Sequence, residues 1–319
     1  MARVAAVYAG RVQFVFGELT VTGTHVDRVM FPADGITKGE LLAYYRDVAD
    51  VMVPELAGRP LSVVRYTKGI DQGGFFQKHY QKHFPAWLDH VAAGSKTRVD
   101  YPIVDSAAGL VYMANQGAIE FHVWTSRKDA LDRPDMVVFD LDPPEGRFDL
   151  VRDAAQLLRA LFEQIGLPPF VKTTGSKGLH VVAPLDDAAT SDEVAALTTR
   201  IAALLCRRHP ELLTMEFYKK DRKGRLFVDV MRNAIGATLV APYSLRGRPG
   251  APLSAPIAWS ELDDPALRAD GIQLRGVRQR LDRRGDPWRD LRAAPGSVAA
   301  ASRALDELTG GSPAGDARP

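Results

Sequence analysis

The chain has 319 residues, 46% hydrophobic and 25% charged, the composition of an ordinary globular protein with room for one large domain or two small ones. Its formal net charge of +2 is too small to announce a polyanionic partner by itself, and a single cysteine, Cys206, excludes an internal disulfide and a cysteine-based zinc site. No apolar run approaches the ~18 residues of a membrane span, and the N-terminus lacks a signal-peptide pattern; the expectation is a reducing cytoplasm and no membrane partner.

Residues 3–22 alternate as strands, with Val12, Phe14 and Phe16 at period two. Thr37 with Glu40 three residues on forms a capping box, predicting a helix that runs to about Val53. Leu61–Tyr66 reads as a strand, and Gly73 and Gly74 break the chain before Phe75 and Phe76. Residues 114–124 mix helix and strand signals. Met136–Asp142 reads as a short apolar strand stopped by Pro143 and Pro144, which cannot donate to a ladder. Leu150–Ile165 has helical periodicity, and Phe170–Thr174 and Leu179–Ala183 read as strands joined by a glycine-containing turn. Ser191 is the expected cap of a helix to Arg207, with Cys206 as a buried small hydrophobe within it. Leu226–Met231 and Thr238–Pro242 read as strands, and Ser260 and Asp263 as caps of a short helix. This irregular alternation predicts an α+β fold. From Ala293 onward the chain is rich in Ala, Gly, Ser and Pro and reads as a mobile tail.

The basic residues are clustered. Lys219, Lys220, Arg222, Lys223 and Arg225 form one group, and a second runs from Arg275 through Arg292. Each is either a solvated face or a phosphate-binding one. His79 and His83 stand four apart without the acid of a zinc-protease motif and are expected to be surface histidines.

The strongest local signal is Val137-Val138-Phe139-Asp140-Leu141-Asp142-Pro143-Pro144. Side chains alternate along a strand, so Asp140 and Asp142 project together while Phe139 and Leu141 face the core. Two carboxylates at the end of a buried strand repel each other, and a divalent cation resolves the repulsion. Oxygen-only ligands suit magnesium or manganese. Asp229, within Leu226-Phe227-Val228-Asp229-Val230, is a third acid in an apolar strand. It either pairs with Arg232 or joins Asp140 and Asp142 around two metals, as in two-metal phosphoryl transfer. Lys172-Thr173-Thr174-Gly175-Ser176-Lys177-Gly178-Leu179-His180 lacks Walker A spacing, and is either a hairpin turn or an anion-binding nest in which Thr174, Ser176, Lys177 and His180 hold a triphosphate. Arg246 and Arg248 follow a strand and offer guanidinium forks that match phosphate.

Taken together these segments resemble the polymerase domain of bacterial ligase D, within the archaeo-eukaryotic primase superfamily, over residues 22–285. The resemblance is carried in the family's order by Tyr101-Pro102-Ile103-Val104-Asp105-Ser106, Phe139-Asp140-Leu141-Asp142-Pro143, Gly175-Ser176-Lys177-Gly178-Leu179-His180, Phe227-Val228-Asp229 and Ala241-Pro242-Tyr243-Ser244-Leu245-Arg246-Gly247. It implies a primase-like α+β catalytic core with an RRM-like sheet flanked by helices. The layout expected is an N-terminal, strand-forming extension at 1–21, a catalytic domain at 22–292 and the tail at 293–319.

The resemblance further implies Asp140, Asp142 and Asp229 as catalytic, metal-binding residues holding two Mn²⁺ (or Mg²⁺) ions, with ribonucleotides preferred over deoxyribonucleotides. Arg65, His122, Thr174, Ser176, Lys177, His180 and Arg246 match the nucleotide-binding positions. His25, Arg28, Lys38, Phe75 and Phe76 match the DNA-binding ones, where a 5′-phosphate is read and bases stack. Ordinary core packing is expected for at least one of Phe75 and Phe76. Arg28 replaces the more usual lysine, His25 stands where asparagine is common, and Val64 occupies a position that can be basic. No K-x-D-G ligase motif is present, which implies a stand-alone polymerase or a fragment of a longer protein. The expected activity is addition of ribo- or deoxyribonucleotides to 3′-hydroxyl ends at gaps and double-strand breaks, in bacterial non-homologous end joining. Partners would be DNA ends with a 5′-phosphate, NTP or dNTP, Ku and a separate ligase, in a nucleoid-associated cytoplasmic setting. The competing readings are a primase that starts chains de novo, a non-catalytic end-binding module and a D-x-D glycosyltransferase.

Overall fold

The computed structural model describes residues 3–8, 10–94 and 97–310. Two sheets position the site. The first has four antiparallel strands in the order Leu239–Val240, Ala118–Val123, Leu61–Arg65 and Phe75–Gln77. The second has six, in the order Leu213–Thr214, Leu226–Asp229, Met136–Asp142, Leu179–Pro184, Phe170–Thr173 and Pro256–Ile257. All its pairings are antiparallel except the first. The fold is α+β, as expected.

Strand alternation explains how the sheets build two cores. In Met136–Asp142, Val137, Phe139 and Leu141 enter a core made with the helices Phe148–Gln164 and Ser191–Arg208. Met136 and Val138 face the other way, into a core shared with the four-stranded sheet and the helices Lys38–Asp47, Ala49–Leu56 and Ala107–Asn115. Asp140 and Asp142 continue that second face to where apolar packing stops. The acids thus stand at the edge of the layer between the sheets, where a cavity of about 710 Å³ opens.

Several expectations are corrected. The helix after Thr37 does carry the capping box, but it ends at Asp47 and restarts at Ala49 rather than running on to Val53. Thr190, not Ser191, caps the helix Ser191–Arg208; its hydroxyl accepts from Glu193 N–H in a capping box, while the Ser191 hydroxyl donates to Asp132 O. The strand from Leu226 stops at Asp229. The segment with Ser260 and Asp263 is a short 3-10 turn, Trp259–Asp263, whose cap position is Ala258. Cys206 is half-buried, and burial pushes its thiol up to about 11. His79 and His83 are exposed, as expected.

The terminal segments are more integrated than their composition suggested. Strands Arg3–Tyr8, Arg11–Phe16 and Leu19–Thr24 form an antiparallel meander, so the expected boundary at residue 21 falls inside a strand. Phe14 and Val21 are buried in the same core as Leu41, Leu42 and Tyr45. A Cβ on Gly23 would stand 2.7 Å from Leu42 Cδ1 and 2.8 Å from Val12 Cγ1, so a side chain there would have to displace the packing of the meander against the first helix. Within the supposed tail, Val298–Leu308 is a helix rather than mobile chain. Val298, Ala301 and Leu305 make one apolar stripe that is buried in the second core, and Arg200 pairs with Asp306. The rest of the expected tail, 311–319, lies outside the described residues. No helix among the described residues is long and apolar enough to cross a membrane.

Candidate nucleotidyl-transfer site

One row of side chains crosses four strands of the six-stranded sheet. Asp229 is opposite Asp140, Asp140 is opposite His180, and His180 is opposite Lys172. Directly opposed residues share a face, so acid, acid, imidazole and ammonium line up. Asp142 joins Asp140 on that face two residues on. Asp229 is only 7% exposed, and burial first, then repulsion from Asp140 and Asp142, raises its carboxyl above the usual range. Burial acts on Asp140 in the same direction, but His180, Arg232 and Lys172 outweigh it and hold that carboxyl low.

The counter-charges are specific. Arg232 Nε stands 3.7 Å from Asp140 Oδ2, so the arginine that local sequence offered to Asp229 reaches the other acid. Asp229 Oδ1 instead accepts from Met231 N–H at 2.7 Å. Arg222 donates to Asp142 Oδ2 at 2.9 Å while its guanidinium lies over the Phe227 ring. With the acids turned to these partners, no three His, Cys, Asp or Glu side chains among the described residues converge to hold a metal.

His180 is buried. Its Nε2 lies 3.5 Å from Asp140 Oδ1, and its buried Nδ1 has no partner among the described residues. Burial and Lys172 push the imidazole down to about 4, so it is neutral at pH 7. Lys172 is 0% exposed, donates to Ser254 Oγ, and burial drives its ammonium well below the usual lysine range.

The glycine-rich segment turns between the strands ending at Thr173 and starting at Leu179. A Cβ at Gly178 would fall 1.9 Å from Leu141 O, and Gly175 has φ +65°, so both positions demand glycine. The Thr174 hydroxyl donates to Gly178 O at 3.0 Å and accepts from Gly178 N–H at 3.2 Å. The hydroxyl thus closes the turn, and Thr174 also lines the main cavity with Ser176 and Lys177. Ser176 and Lys177 face the cavity, and Arg246 holds the turn by donating to Thr174 O at 2.9 Å.

Glu120 is the residue that the sequence analysis missed. It is buried on the strand Ala118–Val123 and accepts from Arg246 Nε at 3.0 Å, Gly247 N–H at 3.0 Å and Tyr66 OH at 3.3 Å. His122 Nε2 lies 3.1 Å away. Burial would raise its carboxyl, but His122, Arg246 and the Gly247 N–H pull it down to about 2. The available signal was an acid at an inward position of an apolar strand, two residues from His122. Lys172, Arg222 and Arg232 were also overlooked as parts of this site.

The residues expected to touch DNA form a second cluster. Lys38 is buried, and burial followed by repulsion from Arg28 and Arg65 lowers its ammonium to about 8. Arg28 donates to Thr67 O, and Arg65 donates to Gln116 O and Gln77 Oε1 and lies over the Phe75 ring. Arg65 does not line the main cavity. The structure groups it with Lys38, Arg28 and Phe75 rather than with the nucleotide-binding set. His25, exposed and in the left-handed region at φ 54°, borders a separate cleft with Arg28. Phe75 and Phe76 are exposed, not core, and Phe76 meets His122 edge-on at 6.1 Å. The basic run from Arg275 is largely neutralised: Arg275 pairs with Glu40, Arg278 with Asp50, Arg280 and Arg284 with Glu261, and Arg292 with Glu55.

The family model described as LigD, primase-polymerase domain, matches residues 37–288, a span that holds all three acids and the cavity. The chain belongs to the LigD primase-polymerase family. Among family relatives, the multifunctional non-homologous end joining DNA repair protein LigD of Mycobacterium tuberculosis is 40% identical over 279 residues, 84% of this chain and 36% of the relative. Its counterpart in Pseudomonas aeruginosa is 36% identical over 284 residues, 88% of this chain and 34% of the relative. This LigD-type chain thus spans about a third of the length of those relatives. The solved polymerase domain of Mycobacterium tuberculosis ligase D, in complex with DNA, superposes with a TM-score of 0.82 at 40% identity, over 86% of this chain and 99% of that one. The LigD primase-polymerase fold expected from sequence is therefore the fold observed.

Proposed function

We propose that this chain is a template-directed nucleotidyltransferase that adds nucleoside monophosphates to the 3′-hydroxyl of DNA at gaps and double-strand breaks in end joining. The observation that carries this reading is the one sheet face shared by Asp140, Asp142 and Asp229, with Asp140 and Asp142 lining a cavity together with Lys177, Arg246 and His180. Ku and a separate ligase are the partners proposed for the same repair step, in the cytoplasm.

The donor set fits a divalent cation. All three groups are carboxylates, the strand register gives them one face, and burial, followed by repulsion from Asp140 and Asp142, raises the carboxyl of Asp229 despite Arg232. Arg222 would have to leave Asp142 for the three to converge. Asp140, Asp142 and Asp229 would hold two Mn²⁺ or Mg²⁺ ions, which when bound lower the pKa of the primer hydroxyl and offset charge on the departing oxygen.

The remaining work falls to the chain's own groups. Lys177, Ser176 and Arg246 bind the triphosphate, with Arg246 held in aim by Glu120 and by the Thr174 carbonyl. His180, neutral, stands against Asp140 and keeps that carboxylate ionised and oriented. His122, fixed by Glu120, stands beside Phe76 where the incoming sugar would lie, which suits it to ribose recognition. Lys38, Arg28 and Arg65 form a cationic group without an acid among its strongest influences, which suits a 5′-phosphate. Phe75 and Phe76 offer stacking faces to template bases.

The test is extension of a gapped duplex with and without the downstream 5′-phosphate, comparing ribo- and deoxyribonucleotides in manganese. Asp140→Ala should abolish extension and leave DNA binding measurable; near-normal extension by that variant would end the proposal.

A further inference from the structure

A second aromatic pair, outside the site so far described, stands in the loop whose Lys219, Arg222 and Arg225 line the same cavity as Phe76. Phe217 is 58% exposed and Tyr218 is 65% exposed, in the loop that leads into the strand Leu226–Asp229. Their rings meet edge-on at 5.4 Å, and Phe217 also meets the buried Phe227 edge-on at 6.5 Å, so the pair is anchored at its base and open above. Two adjacent large aromatics are costly to leave in water unless something covers them.

What covers them is indicated by charge and position. Lys219, Lys220, Arg222, Lys223 and Arg225 follow the pair in the loop, against Glu216 and Asp221 alone, and Lys219, Arg222 and Arg225 line the main cavity. Interleaved cations and free aromatic faces are what a single nucleic-acid strand needs: phosphates for the former, bases for the latter. The pair is also tied to the acids. Arg222 donates to Glu216 O at 3.0 Å and Phe217 O at 2.9 Å while holding Asp142 at 2.9 Å.

We infer that Phe217 and Tyr218 are a stacking platform for the unpaired bases at the 3′ end of the DNA strand being extended. The inference rests on the proposed polymerase function and adds a ligand subsite to it. Phe75 stands with Arg65 of the Lys38 cluster and Phe76 with His122; Phe217 and Tyr218 are tied through Arg222 to Asp142, where the 3′-hydroxyl would react. The Arg222 tether makes the loop carbonyls and Asp142 move together, so a strand seated on the platform bears directly on the acid that Arg222 occupies.

The test uses a duplex with a short 3′ overhang ending in 2-aminopurine, titrated without metal, with fluorescence reporting stacking and anisotropy reporting binding. The unsubstituted chain should quench the probe. Phe217→Ala with Tyr218→Ala should abolish the quench and weaken overhang binding about tenfold, with blunt, 5′-phosphorylated duplex bound as before. Phe217→Leu with Tyr218→Leu, which keeps apolar cover and removes the ring faces, should lose the quench equally. An unchanged quench in either double variant overturns the inference. So does unchanged DNA binding combined with altered self-association in sedimentation, which would make the patch a protein contact. If the unsubstituted chain binds no DNA, the polymerase reading itself fails; if it extends a gapped duplex but the alanine variant binds the overhang normally, only the platform fails.

Discussion

Asp229 lies directly across an antiparallel strand pair from Asp140, so two carboxylates share one sheet face at the closest lateral spacing that the register allows. Their repulsion is built into the backbone, since neither strand can turn its acid away without slipping register and exposing core residues.

From this follows a prediction about stability without metal. Asp229 has a raised carboxyl, so the folded state holds its proton to higher pH than the unfolded chain does. The stabilisation belongs to the low-pH side and is lost as pH rises through the raised value. At neutral pH in a chelator, Asp229→Asn should therefore be more stable than the unsubstituted chain, by about 0.2–1 kcal/mol. Added Mn²⁺ should raise the melting temperature of the unsubstituted chain and leave the variant nearly unchanged, with extension reduced at least roughly 100-fold. Thermal melts with and without metal check both halves.

Glu120 should behave as the organiser of the nucleotide side. Its carboxyl is held at about 2 in the folded state, below the ordinary value of 4.5. The stability it contributes is complete above pH 4.5 and lost as pH falls from there toward 2. Glu120→Gln should flatten acid unfolding in that window. It should also raise the nucleotide KM by roughly tenfold, because Arg246 and His122 lose their common charged partner. Acid titration by circular dichroism and steady-state kinetics read the two effects.

Lys38 predicts a pH dependence for 5′-phosphate recognition. Burial and its cationic neighbours lower it to about 8, so its charge disappears as pH rises through 8. The preference for a 5′-phosphorylated gap should fall between pH 7 and 9, and Lys38→Met should show a weak preference at every pH. Stability should move the opposite way: between 8 and 10.5 the unfolded chain binds the extra proton, so folding strengthens with pH in that window. Competition binding of phosphorylated and unphosphorylated gaps over this range decides it.

Away from the site, Arg59 is 0% exposed and donates through one nitrogen to both oxygens of Asp135, at 2.5 and 2.7 Å. Arg59→Ala removes a fully buried side chain and leaves Asp135 with Arg127 alone, whose Nε donates to Oδ2 at 2.8 Å. It should cost about 2–5 kcal/mol in denaturant unfolding. Activity measured well below the lowered melting temperature should stay near normal.

The acids, the glycine turn and the short strands around them were legible because their signals are local: period-two alternation, prolines that end a ladder, glycines that only a tight turn requires. The same locality explains the misses. Thr174 was read as a phosphate ligand from the glycine-rich segment around it, and only the folded turn shows that its hydroxyl also engages Gly178. Arg232, three residues on, was one of two partnerships left open for Asp229, and only the fold shows its guanidinium reaching Asp140 on the next strand. The tail looked mobile by composition, but three apolar residues at helical spacing found a core to enter.

Sequence by itself determined which residues share a strand face, where chains must turn, and that three acids and a glycine-rich loop belong to the LigD primase-polymerase family. Tertiary structure decided the pairings between distant segments: Glu120 with Arg246, Arg222 with Asp142, Lys38 among Arg28 and Arg65, Lys172 beneath His180. The reason is that backbone periodicity is written every two to four residues, whereas the field at a buried charge is set by whichever segments the fold brings alongside, as it brings Arg246 to Glu120, 126 positions away.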